Sequence, residues 1–341
     1  MDCLQGWPEP IVRVQSLSET KSTVIPPRYV KPPSQRPSSS PAVDLSIPVV
    51  DFSRCDAITA VSDACRGWGF FQVVNHGVDP CLMRRAREDW RQFFHLPMEE
   101  KQVYANTPKT YEGYGSRLGI EEGAILDWGD YYYLHLLPLC LKSHQKWPSL
   151  PRSLSRATVE EYGEELIKFC GRVMRVLSLG LGLDEGHLQT AFGGENCGVC
   201  TRVNFYPKCP QPELTLGLSS HSDPGGITVL LPDDRVKGLQ VRRGDAWVTV
   251  KRGNRLAYLR RGLFAIYTRQ KSKVKTHKHL IRPLLYWHVL SNAAYKSVEH
   301  RVLVNADDER LSIAYLWVIV SILICSYFRL RCRFLFRVTL V

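Results

Sequence analysis

The segment LGLSSHSDPGGITVLL (Leu216–Leu231) sets a histidine and an aspartate two apart between apolar runs. Alternate side chains of a strand share a face, so His221 and Asp223 project together while Ser222 opposes them. Ile227–Leu231 is β-branched and apolar, and Pro224-Gly225-Gly226 has turn chemistry, so the segment reads as strand, turn, strand. An imidazole beside a carboxylate at the lip of a buried strand is either half of a metal site or a surface pair. A third ligand would decide.

YKSVEHRVLVN supplies one candidate, because His300 opens an apolar strand that a barrel or jelly roll could bring beside His221 and Asp223. Two histidines and one carboxylate on one face, with three positions left open, form the donor set of a non-haem Fe(II) oxygenase. Ten residues on, ERLSIAY sets Arg310 and Ser312 on one strand face, where a guanidinium fork and a hydroxyl can grip a carboxylate. In TRVNFYPKCPQPE, Arg202, Asn204 and Tyr206 share one face and Val203 and Phe205 the other. That polar face either lines a cavity or meets water.

Working outward, 341 residues at 44% hydrophobic and 23% charged describe a globular chain able to bury a sizeable core. Residues 1–48 hold nine of the 21 prolines and read as an extended Pro-rich arm. Residues 49–195 read as a helical region, with strands at SIPVVDFS and GFFQVVNHGV, an amphipathic helix near 79–95, and a long helix. In that long helix Val159, Tyr162, Leu166, Phe169, Val173, Val176 and Leu177 recur at helical spacing. From 196 to 315 short strands follow one another. The pattern predicts an α+β chain with a sandwich or barrel core.

Eleven cysteines show no disulfide-scaffold spacing, and the single Cys197-x-x-Cys200 has no second pair to complete a zinc site, so the thiols read as reduced. MDCLQGWPEP has no secretory pattern, and the expected location is cytoplasmic. The net charge of +12 is concentrated in 252–289, with ten Lys or Arg, and 316–341, with four Arg, neither holding an acid. The remaining chain is near neutral, which argues against a nucleic-acid partner. No protein partner is inferred. His76 and His95 end apolar stretches and read as packing or capping residues. Trp128 and Tyr131–Tyr133 could line a pocket or pack in the core.

The quoted motifs, with IPVVDFS and GWGFFQVVNHGV, resemble plant 2-oxoglutarate- and Fe(II)-dependent dioxygenases. MDCLQGWPEPIVRVQSL, IPPRYVKPPSQRP and YEGYGSRLGIEEGAILDWGDYYYLHLLP are most similar to the jasmonate-induced oxygenase group, which hydroxylates jasmonic acid. Flavonoid-oxidising dioxygenases share the core motifs. The resemblance implies a double-stranded β-helix (jelly-roll) core behind a helical N-terminal region. It also implies Fe(II) on His221, Asp223 and His300. 2-Oxoglutarate would be held by Arg310, Ser312 and Tyr206 with Asn204 close by, and dioxygen would be the oxidant. Arg202 would face the carboxylate of a small-molecule substrate.

Two segments depart from that family's pattern. Residues 252–289 replace an expected core strand with basic sequence and are expected to loop out. Residues 316–341 replace a covering helix and are expected to expose Leu316–Phe328. At 13 residues this run spans ~20 Å as a helix, short of the ~30 Å hydrocarbon core, so membrane anchoring is not expected. The shared lack of acids would fit translated non-coding sequence and an inactive product.

Overall fold

Strand β5 (Cys197–Tyr206) lies inside an eight-stranded sheet, and the alternation read from its sequence decides which layer each side chain enters. The computed structural model describes residues 12–20, 22–37, 45–106, 112–116, 123–149, 151, 156–194, 197–223, 226–250, 256–260, 294–295 and 298–319. Val203 and Phe205 pack into the main apolar core, whereas Tyr206 belongs to a second cluster between the two sheets.

The large sheet contains β1 (Val49–Asp51), β2 (Phe70–Val74), β3 (Gly113–Gly115), β4 (Asp130–Leu137), β5, β7 (Ile227–Leu231), β10 (Leu256–Arg260) and β12 (Arg310–Ile319). Its order is β1-β2-β10-β7-β12-β5-β4-β3. The small sheet is β6 (Leu218–His221), β11 (His300–Val302), β8 (Leu239–Arg243) and β9 (Ala246–Thr249), in that order. Leu230 and Ala314 of the large sheet meet Leu239, Val241, Val248 and Val302 of the small one, which closes a jelly roll.

Helices cover the other face of the large sheet, with α2 (Ala57–Gly67) beside β1 and β2 and a five-residue α4 (Met98–Gln102) later in the chain. Helix α3 (Pro80–Phe94) starts with proline in its first turn, after Asp79, whose side chain accepts from the Cys81 N–H at 2.8 Å. It buries Leu82, Met83, Ala86, Trp90, Phe93 and Phe94. Helix α5 (Arg156–Gly180) buries Val159, Tyr162, Leu166, Phe169, Val173 and Leu177, the stripe its spacing predicts. Gly182, at φ +73°, then takes the left-handed turn that ends it. Among the described residues no helix is long and apolar enough to cross a membrane.

Four expectations are corrected. The N-terminal arm packs on the body: α1 (Val14–Glu19) forms within it, and Val14, Ile25 and Tyr29 are buried around Trp128. Residues 49–195 hold β3 and β4 besides the two strands read there; Tyr131–Tyr133 lie in β4, whose sequence DYYYLHLL lacks the strict alternation that marks a half-buried strand. Residues 256–260 do not loop out; they form β10, paired antiparallel with both β2 and β7. Four uncharged residues lead this stretch, and pairing satisfies backbone groups on two neighbours at once.

Finally, β12 runs past Tyr315. Leu316–Ile319 pair with residues 197–200, and Trp317 and Val318 are buried. The expected exposure of Leu316 is therefore wrong, because those residues complete a ladder. The expectations for 252–255, 261–289 and 320–341 lie outside the described residues.

Candidate metal and co-substrate site

His221 ends β6 and His300 opens β11; the two strands are antiparallel neighbours and the two histidines are paired in register. Asp223 follows β6 directly. Its Oδ1 stands 3.2 Å from His221 Nε2 and 3.6 Å from His300 Nε2. The three ligand atoms lie within 4.8 Å of one another. Donors bound at about 2 Å to adjacent positions on one ion lie about 3 Å apart, so this set fits a single cation. His221 Nδ1 lies 2.8 Å from the Ser219 carbonyl. A carbonyl only accepts, so Nδ1 is the donor there, and Nε2 is the nitrogen turned toward Asp223.

These residues open onto a cleft of about 490 Å³ that Arg202, Asn204, Tyr206, Arg310 and Ser312 also line. Arg310 Nη1 donates to Ser312 Oγ at 3.3 Å, and its guanidinium carbon stands 5.4 Å from the Tyr206 ring centre. Burial pulls the Arg310 pKa down, against the opposing pull of Tyr206 and the Asp233 carboxylate. Its Nε is buried with no hydrogen-bond partner among the described residues. A buried cationic fork with an unused donor at a cleft wall fits an anionic carboxylate. Burial pushes the Tyr206 phenol up, so it stays protonated. A Cβ at position 217 would fall 2.5 Å from Tyr206 Cδ1, so Gly217 makes room for that ring.

Arg202 occupies another part of the wall, its guanidinium carbon 4.5 Å from the centre of the Tyr131 ring. Its Nε is likewise buried without a hydrogen-bond partner among the described residues. His76 and His95 lie elsewhere: His76 Nδ1 accepts from the Val78 N–H, and His95 caps α3 and pairs with Glu309 at 2.7 Å.

Sequence reasoning missed Asp233. Its carboxylate accepts from the backbone N–H groups of Leu311, Arg235 and Val236 at 2.7–2.8 Å and pairs with Arg91 at 3.3 Å. Burial pushes its pKa up, but those donors and the Arg310 charge outweigh it and hold the carboxyl below the usual range. Asp233 thereby fixes the backbone next to Arg310. Its only sequence signal is an acidic pair after a strand, which is too common to single out.

The description "non-haem dioxygenase in morphine synthesis N-terminal" matches residues 47–150, and "2OG-Fe(II) oxygenase superfamily" matches residues 197–318. Jasmonate-induced oxygenase 1 of Arabidopsis thaliana is 55% identical over 324 residues, covering 92% of this chain and 75% of its own. Flavanone 3-dioxygenase 2 of Oryza sativa subsp. japonica is 37% identical over 308 residues, covering 88% of this chain and 82% of its own. The crystal structure of JOX2 in complex with 2OG, Fe and JA superimposes with a TM-score of 0.79 at 54% identity. That match covers 92% of this chain and 85% of the other.

Proposed function

The chain belongs to the 2-oxoglutarate- and Fe(II)-dependent oxygenase family, in the jasmonate-induced oxygenase group, and we propose that it hydroxylates jasmonic acid. His221, Asp223 and His300 would hold the iron, a donor set typical of non-haem Fe(II) oxygenases. Arg310 and Ser312 would grip the distal carboxylate of 2-oxoglutarate, with Tyr206 and Asn204 beside them. When bound, iron, 2-oxoglutarate and dioxygen supply the oxidation: one oxygen atom enters a substrate C–H bond, and the other leaves in succinate as carbon dioxide is lost.

The protein's own residues orient the reactants and keep the cleft dry. Leu218, Leu230 and Leu239 provide apolar wall beside the ligand set. Arg202 carries the choice of substrate: its unused Nε in the same cleft suits the carboxylate of a small, otherwise apolar acid. The eight described cysteines stand outside any disulfide, which supports a reducing, cytoplasmic setting. Small molecules are the partners this reading requires.

The test is turnover by the full chain with Fe(II), 2-oxoglutarate and jasmonic acid. One succinate should form per jasmonate hydroxylated. Succinate formation that depends on a flavanone and not on jasmonic acid would favour a flavonoid oxidase. No turnover with any substrate would mean an inactive chain.

A further inference from the structure

Strand β6 carries His221 at its end yet forms the outer edge of the small sheet, with β11 on one side only. An edge strand bearing a ligand needs something else to hold it. That support comes from the N-terminal arm. Ser219 Oγ donates to Asp127 Oδ1, and the same oxygen takes the Lys31 ammonium at 2.7 Å. The Lys31 and Asp127 side chains are 2% and 7% exposed, so this ion pair is removed from water. The backbone repeats the stitching: Leu126 N–H donates to Arg28 O, Lys31 N–H to Leu214 O and Trp128 N–H to Leu216 O, at 2.7–2.8 Å. On the strand itself, the Ser219 carbonyl is the group that fixes the His221 tautomer.

We propose that the buried Lys31–Asp127 pair, acting through Ser219, positions His221 as a metal ligand. This rests on the reading of His221, Asp223 and His300 as the metal set. Attraction across a dry interface is strong only while both charges remain, because loss of one leaves the other buried and uncompensated. The pair therefore fixes Asp127, Asp127 fixes Ser219, and Ser219 fixes both the path of β6 and the donor face of His221. Support of this kind around metal-bound histidines typically changes affinity 10–100-fold when removed.

The experiment is titration of Co(II), a redox-inert probe, into metal-free full-length chain, read by calorimetry and by the visible absorption of bound cobalt. Asp127→Asn and Lys31→Met should bind about 10- to 100-fold more weakly, with an altered cobalt spectrum. Ser219→Ala leaves the ion pair intact and should show part of that loss. Ile25→Ala, a buried arm residue away from β6, should lower Tm while leaving cobalt affinity within about twofold. Unchanged cobalt affinity in Ser219→Ala and in any folded pair variant would overturn the proposal. If wild-type chain fails to bind Co(II), or binds it equally after Asp223→Ala, the metal reading fails and this inference falls with it.

Discussion

His300 stands opposite His221 in the β6–β11 ladder, and their imidazole centres are 4.3 Å apart although the strands are distant in sequence. Asp223 reaches both rings through one oxygen. Removing that carboxylate should therefore cost more than removing one of three independent ligands. We expect Asp223→Ala to lose iron binding and turnover together. Iron-dependent turnover surviving the change would exclude this set.

Arg310→Lys keeps the charge and loses the planar fork. With one charge-assisted hydrogen bond lost, binding should weaken by roughly 1.5–3 kcal/mol, or about 10- to 150-fold. The readout is 2-oxoglutarate affinity of the metal-loaded protein. An unchanged value would make Arg310 a structural residue.

The parts of this site that sequence displayed are those where period-2 alternation met unusual chemistry. Arg202, Asn204 and Tyr206 interrupt an apolar strand on one face only, and the structure lines the cleft with all three. Asp233 and Lys31 act through contacts between segments far apart in sequence, which no local pattern displays. Strand β10 was hidden by charge: ten cations around it suggested exposure, whereas Leu256–Leu259 are uncharged and fit between two strands. The prolines of the arm were read as extension, yet Lys31 is among the most buried side chains.

Arg202→Gln separates substrate binding from co-substrate binding. Loss of a charge-assisted contact should raise KM for jasmonic acid roughly 10- to 150-fold and leave 2-oxoglutarate affinity unchanged. Methyl jasmonate tests the same contact from the ligand's side. It should be a poor substrate for the wild-type chain, and the variant should discriminate less between acid and ester. Equal KM for the acid in both proteins would remove Arg202 from the substrate site.

Glu112 gives a pH prediction. Burial pushes its carboxyl up from 4.5 to about 7, against N–H donors from His135 and Ser143. The folded state then holds a proton that the unfolded chain has released, so stability falls as pH rises from about 4.5 to about 7. His135 acts oppositely: burial lowers its pKa to about 4, so stability falls as pH drops from about 6.5 to about 4. Glu112→Gln removes the first effect. Relative to wild type, it should gain about 3 kcal/mol between pH 4.5 and pH 7.5, as measured by denaturant unfolding. A constant difference across that range would mean that Glu112 titrates normally.

The last prediction concerns the strands that sequence did not foresee. Tyr258 is paired with Phe71 on one side and Val229 on the other, so its backbone sits inside the large sheet. Tyr258→Pro deletes an N–H and leaves a buried acceptor unmatched, at a cost of about 1–3 kcal/mol. A segment looped into water would tolerate the same change. The C-terminal end of β12 admits a parallel test. Trp317 is 3% exposed in the main core, so Trp317→Ala should lose about 3–5 kcal/mol. A chain ended after Tyr315 also strips the partners from residues 197–200, whereas one ended after Ile319 keeps them. Stability should therefore drop sharply between those two ends. If Tyr258→Pro and the shorter chain both unfold at the wild-type denaturant midpoint, neither segment belongs to the sheet, and the jelly roll must close without them.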